Sequence, residues 1–455
     1  MEQQERSKML GSMQVGKLVV KVSVPIMISM LVQALYNIVD GIFVARYSAD
    51  ALTAVSLAFP IQMLMIAAST GLGVGINSLI SRKLGAKRAE EAREAARNGI
   101  FLQLCAYALF LIFGVCFAKT FFKLFTPVPE LQELGGQYLS IVCTLSFGLF
   151  MSITFERMMQ ATGNTVLSML TQLSGAVINI VLDPIFIFGL PGFPAMGVAG
   201  AALATVIGQI AGMLIGLCLN QTRNRELKIS VRGFQPNAHI LRSILAVGFP
   251  SIIMQSISSV MNVTMNLILM GFGNTAVSVL GVYFKLQSFV FMPIFGLSNG
   301  LVAIIGYNYG ARLRSRIYGS IRFALKLAAV IMGVGMLAFL LIPQVLLSLF
   351  ESGEASELTA LGVVALRTIC FHFPLAAVGI TLSTVFQAVG KGFYSLVMSL
   401  CRQLLVLLPA AWILSRLGGL NAIWWSFTIA EFVSLVLCLC FYRRVDRTLF
   451  KSLEE

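Results

Sequence analysis

The sequence predicts an all-α integral membrane protein of twelve transmembrane helices, built as two pseudo-symmetric six-helix lobes with both termini cytoplasmic. Three observations predict it: an apolar content too high for a soluble fold, apolar runs separated by basic gaps, and a second half that repeats the first.

Soluble domains carry roughly a quarter charged residues and under half apolar ones. This chain of 455 residues has 11% charged and 58% apolar residues, with 33 Phe and 21 Met. So little polar surface cannot cover that much apolar surface in water, whereas lipid accepts it. A spanning helix takes about 20 apolar residues, so the length allows roughly twelve.

Apolar runs read against charged or turn-rich breaks fall at approximately 17–45, 52–80, 99–122, 135–160, 166–190 and 197–220. The second set falls at approximately 241–271, 277–306, 320–350, 360–388, 394–416 and 420–442. Several exceed the thickness of the hydrocarbon core, which implies tilt or extension beyond it.

The formal charge of +14 is not spread evenly. Arg6, Lys8, Lys17 and Lys21 precede or open the first run, and Arg82 to Arg97 hold six basic residues after the second. Further basic clusters lie at 223–242, 312–326 and 443–451, and Lys391 precedes the eleventh run. The alternate loops hold only Arg46, Lys119, Lys123 and Arg416. Basic loops mark the cytoplasmic side, so both termini are expected inside, in the inner (plasma) membrane. The same distribution argues against a nucleic-acid groove. No removable signal peptide is expected from the polar stretch Met1–Gly16.

A shift of 225 positions aligns the halves without gaps. Pro25 meets Pro250, Asn37 meets Asn262, Gln62 meets Gln287, Gly71 meets Gly296 and Gly75 meets Gly300. Gly85-Ala86-Lys87 meets Gly310-Ala311-Arg312; two residues later in register, Gln160-Ala161-x-Gly163 meets Gln387-Ala388-x-Gly390. Six spans per half make this a parallel repeat, as in several transporter folds. The expected division is an amino-terminal lobe at 1–220, a cytoplasmic linker at 221–240 and a carboxy-terminal lobe at 241–455.

Charges at membrane depth are costly and need a partner or a purpose. Asp40 shares one face of the first span with Tyr36 and Asn37. Asp183 follows Asn179 by one turn in the fifth span and precedes Pro184, which favours a kink. Both acids fall past the middle of spans that carry no Lys or Arg at similar depth. Burial without a cation penalises a charged carboxylate, so each acid is a candidate to take up a proton.

Other intramembrane charges read differently. Glu156 adjoins Arg157, where an ion pair or solvation and a structural or gating role are expected. Glu431 faces a lobe holding Lys285, Arg367, His372 and Arg402, so a buried pair with Lys285 or Arg402 is expected. His372, between Phe371 and Phe373, reads as a core residue. Tyr36, Gln62, Met151, Gln287 and Phe284 are candidates to line a soft substrate cavity. The eight cysteines sit in apolar runs without metal-ligand or disulfide spacing, and two distant histidines assemble no catalytic site. No enzyme activity, resident cofactor or firm metal site is expected.

Tyr36-Asn37-Ile38-Val39-Asp40-x-x-Phe43-Val44, Ser81-Arg82-x-Leu84-Gly85-Ala86-Lys87, Asn179-x-x-Leu182-Asp183-Pro184, Gly197-x-Ala199-Gly200-Ala201-Ala202-x-Ala204-Thr205 and Tyr307-Asn308-Tyr309-Gly310-Ala311 occur in this order. Together they resemble the multidrug and toxic compound extrusion (MATE) family, in the prokaryotic branch with a first-helix aspartate. The resemblance spans essentially the whole chain. It implies secondary antiport, in which a cationic or amphipathic organic compound leaves as H⁺ or Na⁺ enters. It also implies that Asp40 is the central coupling residue, joined by Asn179 and Asp183, with Thr205 and Asn37 nearby. The sodium-linked pattern of the family has acids in helices seven and ten, which this chain lacks. That favours protons, and sodium at Asp40 and Asp183 stays open. A lipid-linked oligosaccharide flippase of the same superfamily is the alternative function. The expected partners are small organic cations, the coupling ion and the bilayer, with the chain acting as a monomer.

Overall fold

The computed structural model describes residues 7–189, 192–229, 233–350 and 357–453. Arg6 and Arg232 of the basic clusters therefore lie outside the described residues. The spanning helices run, in order, Val15–Tyr47, Asp50–Gly85, Ala89–Phe125, the pair Pro129–Thr144 and Phe147–Ala161, Thr165–Phe188 and Gly197–Arg223. They continue as Ala238–Met270, Asn274–Gly310, Arg314–Leu341, Glu357–Ala388, Gly392–Leu417 and Gly419–Phe450. Eleven of these are single helices among the described residues, and the pair, bent by 44°, supplies the twelfth. Below they are the first to twelfth helices.

Two departures from the expected spans have local causes. The fourth breaks at Leu145 and Ser146, and a break frees carbonyls that water cannot reach. Tyr107 Oη donates to the Thr144 carbonyl (3.0 Å) and Ser146 Oγ to that of Cys143 (2.8 Å). The third helix meets this break with a π-helical turn at Phe113–Phe117, where Gly114 lies against Cys143 and Thr144. The ninth ends at Leu341 rather than near 350, because Pro343 cannot continue it and instead opens a short helix, Pro343–Ser348.

The two halves of the chain meet through glycines. A methyl group on Gly75 would fall 2.3 Å from the Ile244 carbonyl oxygen, and one on Gly296 would fall 2.6 Å from Met27 Cα. A methyl on Gly85 would reach 1.9 Å from the Tyr307 carbonyl oxygen, and one on Gly310 would reach 2.0 Å from that of Arg82. These last contacts are mates under the 225-residue shift, which carries Gly85 to Gly310 and Arg82 to Tyr307. Lys87 and Arg312, related in the same way, are the described non-glycine residues with positive φ, at 59° and 58°. The second helix thus packs on the seventh as the eighth packs on the first, backbone to backbone as small residues permit.

These contacts lie toward the end that carries the basic loops. A short amino-terminal helix, Lys8–Ser12, crosses the same end. Its Leu10 is fully buried, and the Leu10 carbonyl accepts from Asn308 Nδ2 (3.0 Å) and Arg316 Nη2 (3.2 Å). On the other side Ser7 N–H donates to Glu226 Oε1 (3.0 Å). Near the carboxy terminus, Tyr318 Oη donates to Asp446, and the Phe450 ring packs on Tyr309 and Tyr318. Both described termini therefore lie at the basic end. In the opposite halves of the first and eighth helices, Gly41 and Gly281 have open space beside them.

Candidate ion-coupling site

The site begins with the close crossing of the fifth and sixth helices. Gly175 and Gly208 let the backbones touch, since a methyl on Gly208 would fall 2.7 Å from the Gly175 carbonyl oxygen. The same methyl would fall 2.9 Å from Asn179 Cβ. That approach lets Asn179 Nδ2 donate to Thr205 Oγ1 (3.3 Å), while Thr205 Oγ1 donates to the Ala201 carbonyl (3.0 Å). Gly208→Ala is expected to part the helices and break the Asn179–Thr205 bond, at about 1–3 kcal/mol. Thermal melting of the purified protein checks this.

One turn beyond Asn179 sits Asp183, fully buried, with neither carboxyl oxygen holding a hydrogen-bond partner. The first helix lies alongside the fifth, joined where Gln172 Nε2 donates to Gln33 Oε1 (2.8 Å). This pairing brings Asp40, half-buried, to face Asp183. Asp40 Oδ1 and Asn179 Oδ1 are also buried without partners. Three orphaned carboxyl oxygens thus face one another, with orphaned Asn179 Oδ1 one turn away, and no Lys or Arg pairs with either acid among the described residues. Acceptors buried together in this way call for a proton or a small cation between them.

Tyr36, one turn before Asp40, faces Thr205 and both carboxyls. Tyr138, on the fourth helix, also faces both acids, and its hydroxyl accepts from Gln62 Nε2 (2.9 Å). Tyr36 and Gln62, expected as cavity residues, therefore stand at the acid pair. Tyr138 was not anticipated. Its signal was a single tyrosine in a run read only for charge and apolarity.

Other expected site residues separate from this cluster. Asn37 lies on the exposed side of the first helix with no hydrogen bond to either acid. One residue's step of about 100° turns it away from the face shared by Tyr36 and Asp40. Met151 is packed in the core at 4% exposure, so it does not line an open cavity. Phe284 and Gln287 are half-buried on the eighth helix, in the other half of the chain.

The pair expected between Glu156 and Arg157 does not form. Neighbours on a helix point about 100° apart, and each finds its own partner. Ser152 Oγ donates to Glu156 Oε1 (3.3 Å), and Arg157 Nη1 donates to Gln160 Oε1 (2.9 Å). Arg157 also packs on Gly73 of the second helix, which makes it a contact between helices.

In the carboxy-terminal half, Glu431 pairs with Arg402, whose Nη1 stands 3.2 Å from Oε1 and 3.4 Å from Oε2. Lys285 instead sits over the Phe350 ring, 5.8 Å from its centroid. Arg402 stands on a π-helical stretch, Cys401–Leu407, that packs on the twelfth helix. His372 is buried among Phe291, Phe373 and Phe427, with Nδ1 2.6 Å from the Ile369 carbonyl oxygen. Glu431→Leu alone strands the Arg402 charge and is expected to cost about 2–3 kcal/mol. The double variant Arg402→Leu/Glu431→Leu is expected to recover most of that. Melting temperatures of the singles and the double measure the coupling.

A family model described as MatE matches residues 25–185 and 250–413. The multidrug export protein MepA of Staphylococcus haemolyticus is 28% identical over 418 residues, covering 92% of this chain and 91% of that protein. A solved structure described as the outward-facing conformation of a multidrug resistance MATE family transporter of the MOP superfamily superposes with a TM-score of 0.92. It is 28% identical and covers 99% of this chain and 100% of its own. A MOP superfamily transporter from Pyrococcus furiosus, described as having a binding pocket of reverse polarity that suggests a different function, gives the same score and identity. There the coverage is 99% of each chain.

Proposed function

Because this chain belongs to the MatE family of transporters, we propose that it is a proton-driven antiporter that exports cationic or amphipathic organic compounds across the inner membrane. Its basic end, with both termini, faces the cytoplasm. One observation carries the coupling assignment: half-buried Asp40 faces fully buried Asp183, each with buried orphaned oxygen and no basic partner among the described residues.

In the mechanism the acid pair holds either a proton or the positive character of the substrate. With the basic end closed, the pair is reached from the far side, where proton uptake removes its net charge and releases the cationic compound. Tyr36 and Tyr138 supply hydroxyls to whichever carboxyl is ionised. Asn179 and Thr205 hold the fifth and sixth helices in register behind Asp183. Pro25 leaves a carbonyl without its helical donor, and that gives the first helix a place to bend. One proton exchanged for one monovalent organic cation moves no net charge, so ΔpH drives the step, and each unit supplies about 1.4 kcal/mol, enough for about a tenfold substrate gradient.

A second reading puts sodium in place of the proton. It is favoured by Asn179 Oδ1, a neutral oxygen that joins the carboxylates as an orphaned acceptor. The flippase alternative fares worse. Arg402 is committed to Glu431, Lys285 covers Phe350, and Arg367 Nε donates to the Leu340 carbonyl, so these cations gather no pyrophosphate site. Efflux of a fluorescent organic cation from proteoliposomes separates the two ions. Export driven by an imposed ΔpH in sodium-free buffer is expected; export that follows only a sodium gradient would replace the proton in this scheme.

A further inference from the structure

The first helix and the ninth, which belong to different halves of the chain, meet at the basic end. Gly16 lies against the ninth helix there, since a methyl on it would fall 3.1 Å from the Phe323 ring. Beside this contact lies a groove of about 490 Å³ lined by Met13, Gly16, Lys17, Val20, Lys21 and Phe323. Lys17 and Lys21 are four residues apart, so they project from one face of the helix. Both are exposed, and neither makes a hydrogen bond or ion pair among the described residues. The rest of the wall is apolar and holds no acid.

Depth gives the groove its chemistry. The first helix has 33 residues, and at the helical rise it is about 50 Å long against a hydrocarbon core of about 30 Å. Its first turns therefore stand in the headgroup layer. Val20 and the Phe323 ring lie at the same height as the lysine backbones, so the long stems of Lys17 and Lys21 carry their ammonium groups outward to the phosphates while the two apolar side chains meet the top of the acyl layer.

The repeat offers an internal comparison. The 225-residue shift places the first helix on the seventh and the ninth on the third, so this seam has a mate. At the mate seam the chain supplies its own cover. Asn98 Oδ1 accepts from the Asn237 backbone N–H (2.9 Å), and the Phe234 ring packs on Phe101 at 5.9 Å. Arg242 takes the place of Lys17 there, and Ala246 that of Lys21. One seam is closed by a polar group and an aromatic ring from the linker. The other presents two unpaired cations over an apolar floor.

We propose that the groove between the first and ninth helices binds one anionic phospholipid, its phosphate held by Lys17 and Lys21 and an acyl chain laid on Val20 and Phe323. Two cations match an anionic headgroup better than a zwitterionic one, whose own ammonium opposes them. A free phosphate leaves the apolar floor unused. The bound lipid touches both halves of the chain, and its binding is independent of which ion drives transport.

The test uses the full-length protein, delipidated in mild detergent and titrated with lipid in native mass spectrometry. The probes are phosphatidylglycerol, phosphatidylcholine of the same chains, and inorganic phosphate. One phosphatidylglycerol is expected to bind ahead of all others, and to bind roughly thirtyfold more weakly to Lys17→Gln/Lys21→Gln, the share of two charges at an anionic surface. Lys17→Arg/Lys21→Arg should retain it, which separates lost charge from lost fold. Lys119→Gln/Lys123→Gln, exposed at the opposite end of the bundle, should leave it unchanged. Phe323→Ala should weaken lipid binding, and inorganic phosphate should not compete. Equal affinity for phosphatidylcholine, equal binding by the double glutamine variant, or displacement by inorganic phosphate would overturn the proposal.

Discussion

Asp40→Asn is expected to abolish proton-driven export while leaving the protein folded in the membrane. The gradient that ΔpH sustains, about tenfold per unit for one proton exchanged, should fall to unity, because the amide cannot exchange a proton with either side. Asp183→Asn is expected to do the same. The two acids share one space, so removing either leaves a partner with no neighbour to exchange against. Stability should move little, or rise. Asp183 is buried with both oxygens unpaired, and an orphaned carboxyl is a cost to folding that an amide, which also donates, relieves. Loss of export with an unchanged melting temperature assigns the acids to coupling. A matching loss of both assigns them to packing. Efflux and thermal melting on the same preparations give the answer.

Gly85→Ala and Gly310→Ala are expected to hold the basic end open. Each methyl would fall about 2 Å from a carbonyl oxygen of the facing helix, and a backbone group cannot rotate aside as a side chain can. Overpacking of this kind costs about 1–3 kcal/mol. Here the cost falls on the closed arrangement alone, since each glycine meets the opposite half of the chain. A closed-to-open ratio should therefore drop by about five- to 150-fold. The two variants are mates under the repeat and should behave alike. Distances between spin labels at Glu90 and Arg314 should lengthen in both, and turnover should fall without loss of folded protein. Unchanged label distances would mean that the second and eighth helices absorb the methyl by bending, and that the seam is not the closing element.

Much of this was legible in the sequence, because lipid leaves few choices. Twelve apolar runs become twelve spans once the bent pair counts as one. The glycines matched by the 225-residue shift are those at which the halves touch, since only a residue without a side chain lets backbones approach so closely. Asp40 and Asp183 stood out through the cost of burying them, and the fold brings them face to face. Harder to read was anything set by rotation about a helix axis. Asn37 and Asp40 are close in sequence but sit on different faces. Glu156 and Arg157 are adjacent and turn to separate partners. Met151 looked like cavity lining and is core, because composition reports softness and not the direction a side chain takes. Tyr138 carries no charge, and only the fold places it beside two that do. The break at Leu145 and Ser146 was hidden by a continuous apolar run, since the hydroxyls of Tyr107 and Ser146 satisfy the carbonyls that it exposes.

A proton and a cationic substrate are expected to compete for the pair Asp40–Asp183. The most direct test is proton release on substrate binding, followed with a pH indicator in weakly buffered detergent solution. Addition of an organic cation to the purified protein is predicted to release about one proton per substrate bound, and none from Asp40→Asn. Substrate binding without proton release, or equal release from the wild type and Asp40→Asn, would mean that the acid pair does not exchange a proton for substrate.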